Sequence, residues 1–152
     1  MGYISEIRQK IGHDRLIVVG ASVIVYKDSH ILLQRRVDNG MWSEHGGSVE
    51  IGETVETAAK RELFEETGLI ANSLQLTGVY SGEDMLYTYP NGDMVYIIIT
   101  QWLCADFSGE LNPDPDEVAE LKWFSIHNLP TEINPPSRKL LIEFTEKIKN
   151  PS

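Results

Sequence analysis

Residues 47–69 read GSVEIGETVETAAKRELFEETGL, and the fold and chemistry of the chain follow from this stretch. It reads as a loop followed by a helix. Thr54 is a suitable N-cap, Ala58 and Ala59 propagate helix well, and Gly68 sits where a C′ glycine belongs. Residues three and four apart share a helix face, so Glu62 neighbours both Glu65 and Glu66. The three acids fall within an arc of about 100°. Each like-charge pair costs about 0.2–0.5 kcal/mol if nothing neutralises it. Lys60 and Arg61 are expected to project away from the centre of that arc. A hard divalent cation with oxygen ligands, Mg²⁺ foremost, would then fill it.

The wider spacing is specific. Gly47, Glu53, Arg61-Glu62-Leu63, Glu65-Glu66 and Gly68-Leu69 occupy every defining position of the Nudix box, and the chain resembles the Nudix (MutT-like) hydrolase family. The resemblance implies an α+β fold, a Nudix-like α/β/α sandwich with a mixed β-sheet and the box as a loop-helix motif. It also implies hydrolysis of the pyrophosphate of a nucleoside diphosphate linked to another moiety. Glu62, Glu65 and Glu66 would hold Mg²⁺ (or Mn²⁺), with Glu62 and Glu66 the firmest ligands. Glu62 or a nearby acid would be the general base. Arg61 would orient a carboxylate, and Gly47 would bring a backbone carbonyl close to the metal. Glu53 would tie the loop to the helix or join the metal shell. One further acid is expected from outside the box, among Asp116, Glu117 and Glu120, with Glu117 preferred. The chain departs from the family in one place. Where many members read Leu-Pro-Gly-Gly, it reads Glu44-His45-Gly46-Gly47. His45 is expected to be a tolerated loop residue rather than a ligand, a proton-transfer group or a phosphate contact.

Composition sets outer bounds. The 152 residues suit a single domain over 1–152, with a helical extension at 1–14 and a core at 16–148. Apolar residues are 41% and charged residues 24%, as in ordinary globular proteins. No apolar run reaches the length of a membrane span, and the first residues carry no apolar leader, so a cytoplasmic protein is expected. The one cysteine, Cys104, is expected in the core. A net charge of −10 with no basic stripe argues against extended nucleic-acid binding. A small nucleotide remains a suitable partner if a metal and local cations reverse the sign within the site.

Outward from the box, Ile4, Ile7 and Ile11 mark a short helix over 3–11. Residues 16–26 form an apolar run expected to be a strand interrupted near Gly20. Residues 31–36 form another strand, ending in Arg35 and Arg36. Successive strand residues point to opposite faces, so one arginine is expected at the site and the other in water. Strands are also expected at 74–80, 86–89, 94–103 and 118–124, with the 94–103 strand central and a hairpin at Asn91-Gly92. Residues 138–149 carry Leu140, Leu141, Phe144 and Ile148 on one helix face. That face and the 3–11 helix are candidate homodimer interfaces. Arg35, Arg36, Trp42 and Tyr87 are the candidate substrate contacts, with Tyr80 and Tyr89 as further aromatics. Tyr87 lies 18 residues beyond Leu69, a spacing similar to that of dinucleoside-polyphosphate hydrolases. ADP-ribose-like compounds, dinucleoside polyphosphates and nucleoside triphosphates all remain open as substrates. The alternative to an enzyme is a nucleotide-binding sensor that keeps the box but turns over little. A third reading makes the acids and their metal purely structural.

Overall fold

The computed structural model describes residues 2–151. In chain order the elements are α1 (Tyr3–Ile11), β1 (Leu16–Lys27), β2 (His30–Arg36), β3 (Trp42–Ser43), β4 (His45–Ser48) and α2 (Val55–Thr67). They continue with β5 (Ile70–Tyr80), β6 (Leu86–Thr88), β7 (Met94–Ser108), β8 (Val118–Ser125) and α3 (Pro135–Lys149). One mixed sheet carries the order β3-β2-β1-β7-β5, with β4 on β1, β6 on β7 and β8 on β2. The β1–β7 pair is parallel from Leu16↔Val95 to Val25↔Cys104, and the other ladders are antiparallel.

The period-two alternation of β1 and β2 builds two cores, one on each face. Val18, Ile24, Ile31 and Leu33 join Leu140, Leu141 and Phe144 of α3. Val23, Val25 and Leu32 join Ala58, Ala59 and Leu63 of α2. The result is the expected helix–sheet–helix sandwich, with β7 central and Cys104 buried. No helix among the described residues is long and apolar enough to cross a membrane.

Several expectations need correction. β1 is not interrupted at Gly20; it runs unbroken, and Gly20 is where β4 begins to pair, opposite Ser48. β5 starts at Ile70 rather than 74, because Ala71 pairs Phe107 and is buried while polar Asn72 and Ser73 hide the pattern. α3 starts at Pro135 rather than 138, since prolines in a first helical turn forfeit N–H groups that have no partner there anyway. The apolar face of α3 is spent on this chain's own core, so it is not a free interface.

Candidate active site

The acids are placed by α2 and by the β4 strand that precedes it. Thr54 Oγ1 accepts from Thr57 N–H at the helix start, and Gly68 ends it in the left-handed region at φ 83°. Leu63 is fully buried on the sheet, which turns Glu62, Glu65 and Glu66 toward the rim of β4. A cleft of about 730 Å³ lies there. Glu62, Glu65, Glu66 and Arg61 line it from α2, Asp116 and Glu117 from the loop before β8, and Arg36 from β2.

The expectation that Arg61 points away from the acids is wrong. Its guanidinium reaches back along the helix. Nε and Nη2 donate to Glu53 at 2.7 and 2.9 Å, and Nη1 donates to Glu62 Oε1 at 2.8 Å. Weaker bonds run from Nη1 to Glu65 at 3.3 Å and from Nη2 to the Ser48 carbonyl at 3.1 Å. A long, flexible side chain is not confined to the direction of its own Cβ, and the planar fork matches two carboxylates together. Of the two roles weighed for Glu53, the loop tie is realised: Glu53 also accepts from Glu50 N–H at 3.0 Å, and its pKa is lowered chiefly by Arg61.

Arg61 does not bond the deeper acid, Glu66, which is met by the Gly46 N–H and the Gln34 side chain. Glu66 is 5% exposed, and its Oε1 accepts from Gly46 N–H at 2.7 Å. Burial, then the Glu62 charge, raises its pKa well above the carboxylate norm. Glu62 is raised by burial, against the opposing pull of Arg61. Glu117 is raised by burial and by Asp114 and Glu65. Burial is the leading cause in each case, and a cation bound among these acids would offset it. At Gly47 a Cβ would lie 2.5 Å from the Glu62 carboxylate, which Arg61 also holds, so a side chain there would displace that acid from its bond. Among the described residues no three acids, histidines or cysteines already converge into a closed metal cage. The donor set is nonetheless hard oxygen throughout, which fits Mg²⁺ or Mn²⁺.

The other candidates separate clearly. Arg36 lines the cleft and pairs with Asp38 at 2.8 and 2.9 Å. Arg35, on the other face, pairs with Glu120 at 3.4 Å and does not line the cleft. Trp42 packs edge-on against Phe124, and Tyr87 hydrogen-bonds Asn39 while packing edge-on against Tyr89. Neither lines the cleft; Tyr89 does. His45 is fully buried, its Nε2 donates to the Leu32 carbonyl at 2.9 Å, and it is held neutral, its pKa lowered by burial to about 4. The carbonyl can only accept, so Nε2 carries the proton and pins β4 to β2. Sequence reasoning missed two residues: buried Gln34, whose amide donates to the Glu44 carbonyl at 3.1 Å, and buried Glu44 itself. An acid where the family motif has leucine was the available signal for the second.

A mixed sheet thus lies between helices, with an acidic loop-helix along one side of the cleft. The NUDIX domain family model matches residues 16–144, and the chain belongs to that family. Among curated relatives, an ADP-ribose pyrophosphatase of Methanocaldococcus jannaschii is 40% identical over 115 residues, 74% of this chain and 64% of that protein. The NAD-capped RNA hydrolase NudC of Vibrio cholerae is 36% identical over 111 residues, 71% of this chain and 37% of that protein. The chain thus spans under two thirds of these relatives' length. Among solved structures, a MutT NUDIX hydrolase from Burkholderia pseudomallei superposes with a TM-score of 0.71 at 30% identity, covering 84% of this chain and 97% of that one.

Proposed function

We propose that this chain is a Mg²⁺-dependent pyrophosphohydrolase acting on a nucleoside diphosphate linked to another moiety, with an ADP-ribose-like compound first among the candidates. The observation that carries it is the cleft where Glu62, Glu65, Glu66 and Glu117 face one another beside Arg36. The name of the archaeal relative supports the choice of ADP-ribose. Glu62 and Glu66, with the Gly47 carbonyl, are the residues that would hold the metal, and Glu65 joins them from the rim. A bound divalent cation would polarise the phosphate oxygens and ease deprotonation of the attacking water. Arg61 fixes the Glu62 carboxylate through its bond at 2.8 Å, so the acid meets its ligand in one orientation. Arg36 supplies a fixed positive charge for phosphate oxygens. Glu117, with its raised proton affinity, takes the proton of the water as its oxygen attacks phosphorus and the second phosphate departs. The sensor alternative rests on His45 and on the N-terminal helix; His45 lies buried outside the cleft and gives it no support, while Ile4 and Ser5 of the helix do border the cleft.

The test is a panel of ADP-ribose, dinucleoside polyphosphates and nucleoside triphosphates incubated with purified protein and Mg²⁺, with nucleoside monophosphate measured as product. Turnover of at least one compound is expected, with a loss of about 100-fold or more in Glu66→Gln. No turnover across the panel, or turnover indifferent to Glu66→Gln and to chelation, would sink the proposal.

A further inference from the structure

A smaller cavity of about 90 Å³ opens off the acidic cleft. The two share Arg36, Tyr89 and the backbone of residues 46–48. Val18, Ile97, Ile99 and Pro136 give it apolar walls, and one side is polar and buried: Ser22 is 2% exposed, Ser43 2% and Glu44 8%. Ser22 Oγ, Ser43 Oγ and Glu44 Oε2 have no hydrogen-bond partner within the protein. Ser137 of α3 hydrogen-bonds the Glu44 carboxyl, which holds that side chain on the α3 side of the sheet. Unmet buried polar atoms are costly, and three on one small wall need a common reason. Glu44 also stands where the family motif has leucine, so this wall carries an acceptor that an aliphatic residue there would not provide.

The size narrows the guest. About 90 Å³ is the space of roughly three water molecules, too small for a nucleotide but enough for the polar edge of a heterocycle. A carboxylate oxygen wants an N–H donor. Serine hydroxyls on either side accept a second N–H or donate to a neighbouring ring nitrogen. An exocyclic amino group beside a ring nitrogen meets these demands, the amino group donating to the carboxylate and a serine and the ring nitrogen accepting from the other hydroxyl. An edge without an amino group leaves the carboxylate oxygen unpaired, and such sites reject the deficient analogue strongly.

We propose that Glu44, flanked by Ser22 and Ser43, is a specificity-determining residue that receives the exocyclic amino group of the substrate's base. The proposal rests on the pyrophosphohydrolase reading, in which the phosphates occupy the adjoining cleft and the base turns into this cavity.

The experiment is calorimetric binding, in Mg²⁺, of nucleoside monophosphate pairs that differ only by an amino group. These are GMP against IMP, AMP against purine riboside monophosphate, and CMP against its 4-deamino analogue. Monophosphates hold no anhydride bond, so binding is read whether or not the protein hydrolyses anything. In at least one pair the amino-bearing member is expected to bind about tenfold more tightly. Glu44→Leu should reduce that ratio to about twofold or less. Should the leucine variant fail to fold, Glu44→Gln keeps the shape and should lower the ratio several-fold. Equal binding within every pair, including no binding of any, overturns the proposal, as does a preference unchanged by substitution at Glu44. Discrimination that depends on Glu44 in a protein without turnover would overturn the hydrolase reading alone.

Discussion

Replacing Arg61 with lysine keeps the positive charge and removes the fork. Lysine can satisfy one carboxylate well, whereas Arg61 serves Glu53 through two bonds at 2.7 and 2.9 Å and Glu62 through one at 2.8 Å. At least two charge-assisted bonds are lost. Such bonds contribute about 1.5–3 kcal/mol each, and the Arg61 side chain is 30% exposed, which places the loss toward the lower end. Glu53 and Glu62, each with a 13% exposed side chain, are left poorly paired. A destabilisation of about 2–3 kcal/mol is expected, which for this chain length is a fall in melting temperature of roughly 4–12 °C. The assay is urea unfolding followed by tryptophan fluorescence, in chelator, on a cycle of Arg61→Lys, Glu53→Gln and the double variant. Because the two residues share their bonds, the coupling should be about 1–2 kcal/mol. A coupling below about 0.5 kcal/mol would refute the view that Arg61 is the tie between loop and helix.

Three more outcomes follow from the same geometry. His45 is neutral in the fold, with its pKa lowered by burial to about 4, while the unfolded chain titrates near 6.5. Its contribution is therefore complete above that unfolded value and is lost as pH falls, by about 2.5 kcal/mol near pH 4.5. Urea midpoints of the wild type minus those of His45→Phe, measured across that window, should show this slope, and a flat difference would count against a buried neutral imidazole. Gly47→Ala sets a methyl 2.5 Å from the Glu62 carboxylate, and turnover should fall about 100-fold while the far-ultraviolet spectrum is kept. Mg²⁺ at about 100 times its dissociation constant should stabilise the protein by about 2.7 kcal/mol in thermal scans. Chelator should reverse that gain and Glu66→Gln should shrink it; no shift in the wild type would argue against a cation among these acids.

Much of the molecule was legible because its signals are local. The α2 boundaries follow from Thr54 and Gly68, and the hairpins from their turn residues. That Glu62, Glu65 and Glu66 share one helix face was legible from their spacing, whereas their role as metal ligands comes from the family resemblance. Contacts made by long side chains across sequence were not. Nothing local says that Arg61 bends back onto Glu53 and Glu62, or that Gln34 reaches the Glu44 carbonyl. The position of the aromatics was hidden for a similar reason. Tyr87 and Tyr89 both come from the β6 hairpin, and only the fold decides that Tyr89 borders the cleft while Tyr87 bonds Asn39. At positions 44 and 45, strand alternation sends two adjacent polar side chains to opposite faces, Glu44 toward Ser137 and His45 toward Leu32.

One wall of the cleft is made by Gly2, Ile4 and Ser5, which lie outside the family-matched span. No residue of α1 is fully buried. The helix is moored by Ile4, which packs against the core on the α3 side of the sheet, and by polar ties: Arg8 donates to the Met94 carbonyl at 2.7 Å, and Tyr3 N–H donates to Glu50 at 3.0 Å. Such an attachment releases with far less free energy than unfolding of the sheet. Its amides should exchange with deuterium well before those of β1 and β7. The wall of acids held by α2 and the wall made by α1 therefore rest on separate attachments, and the two can be altered by mutation independently.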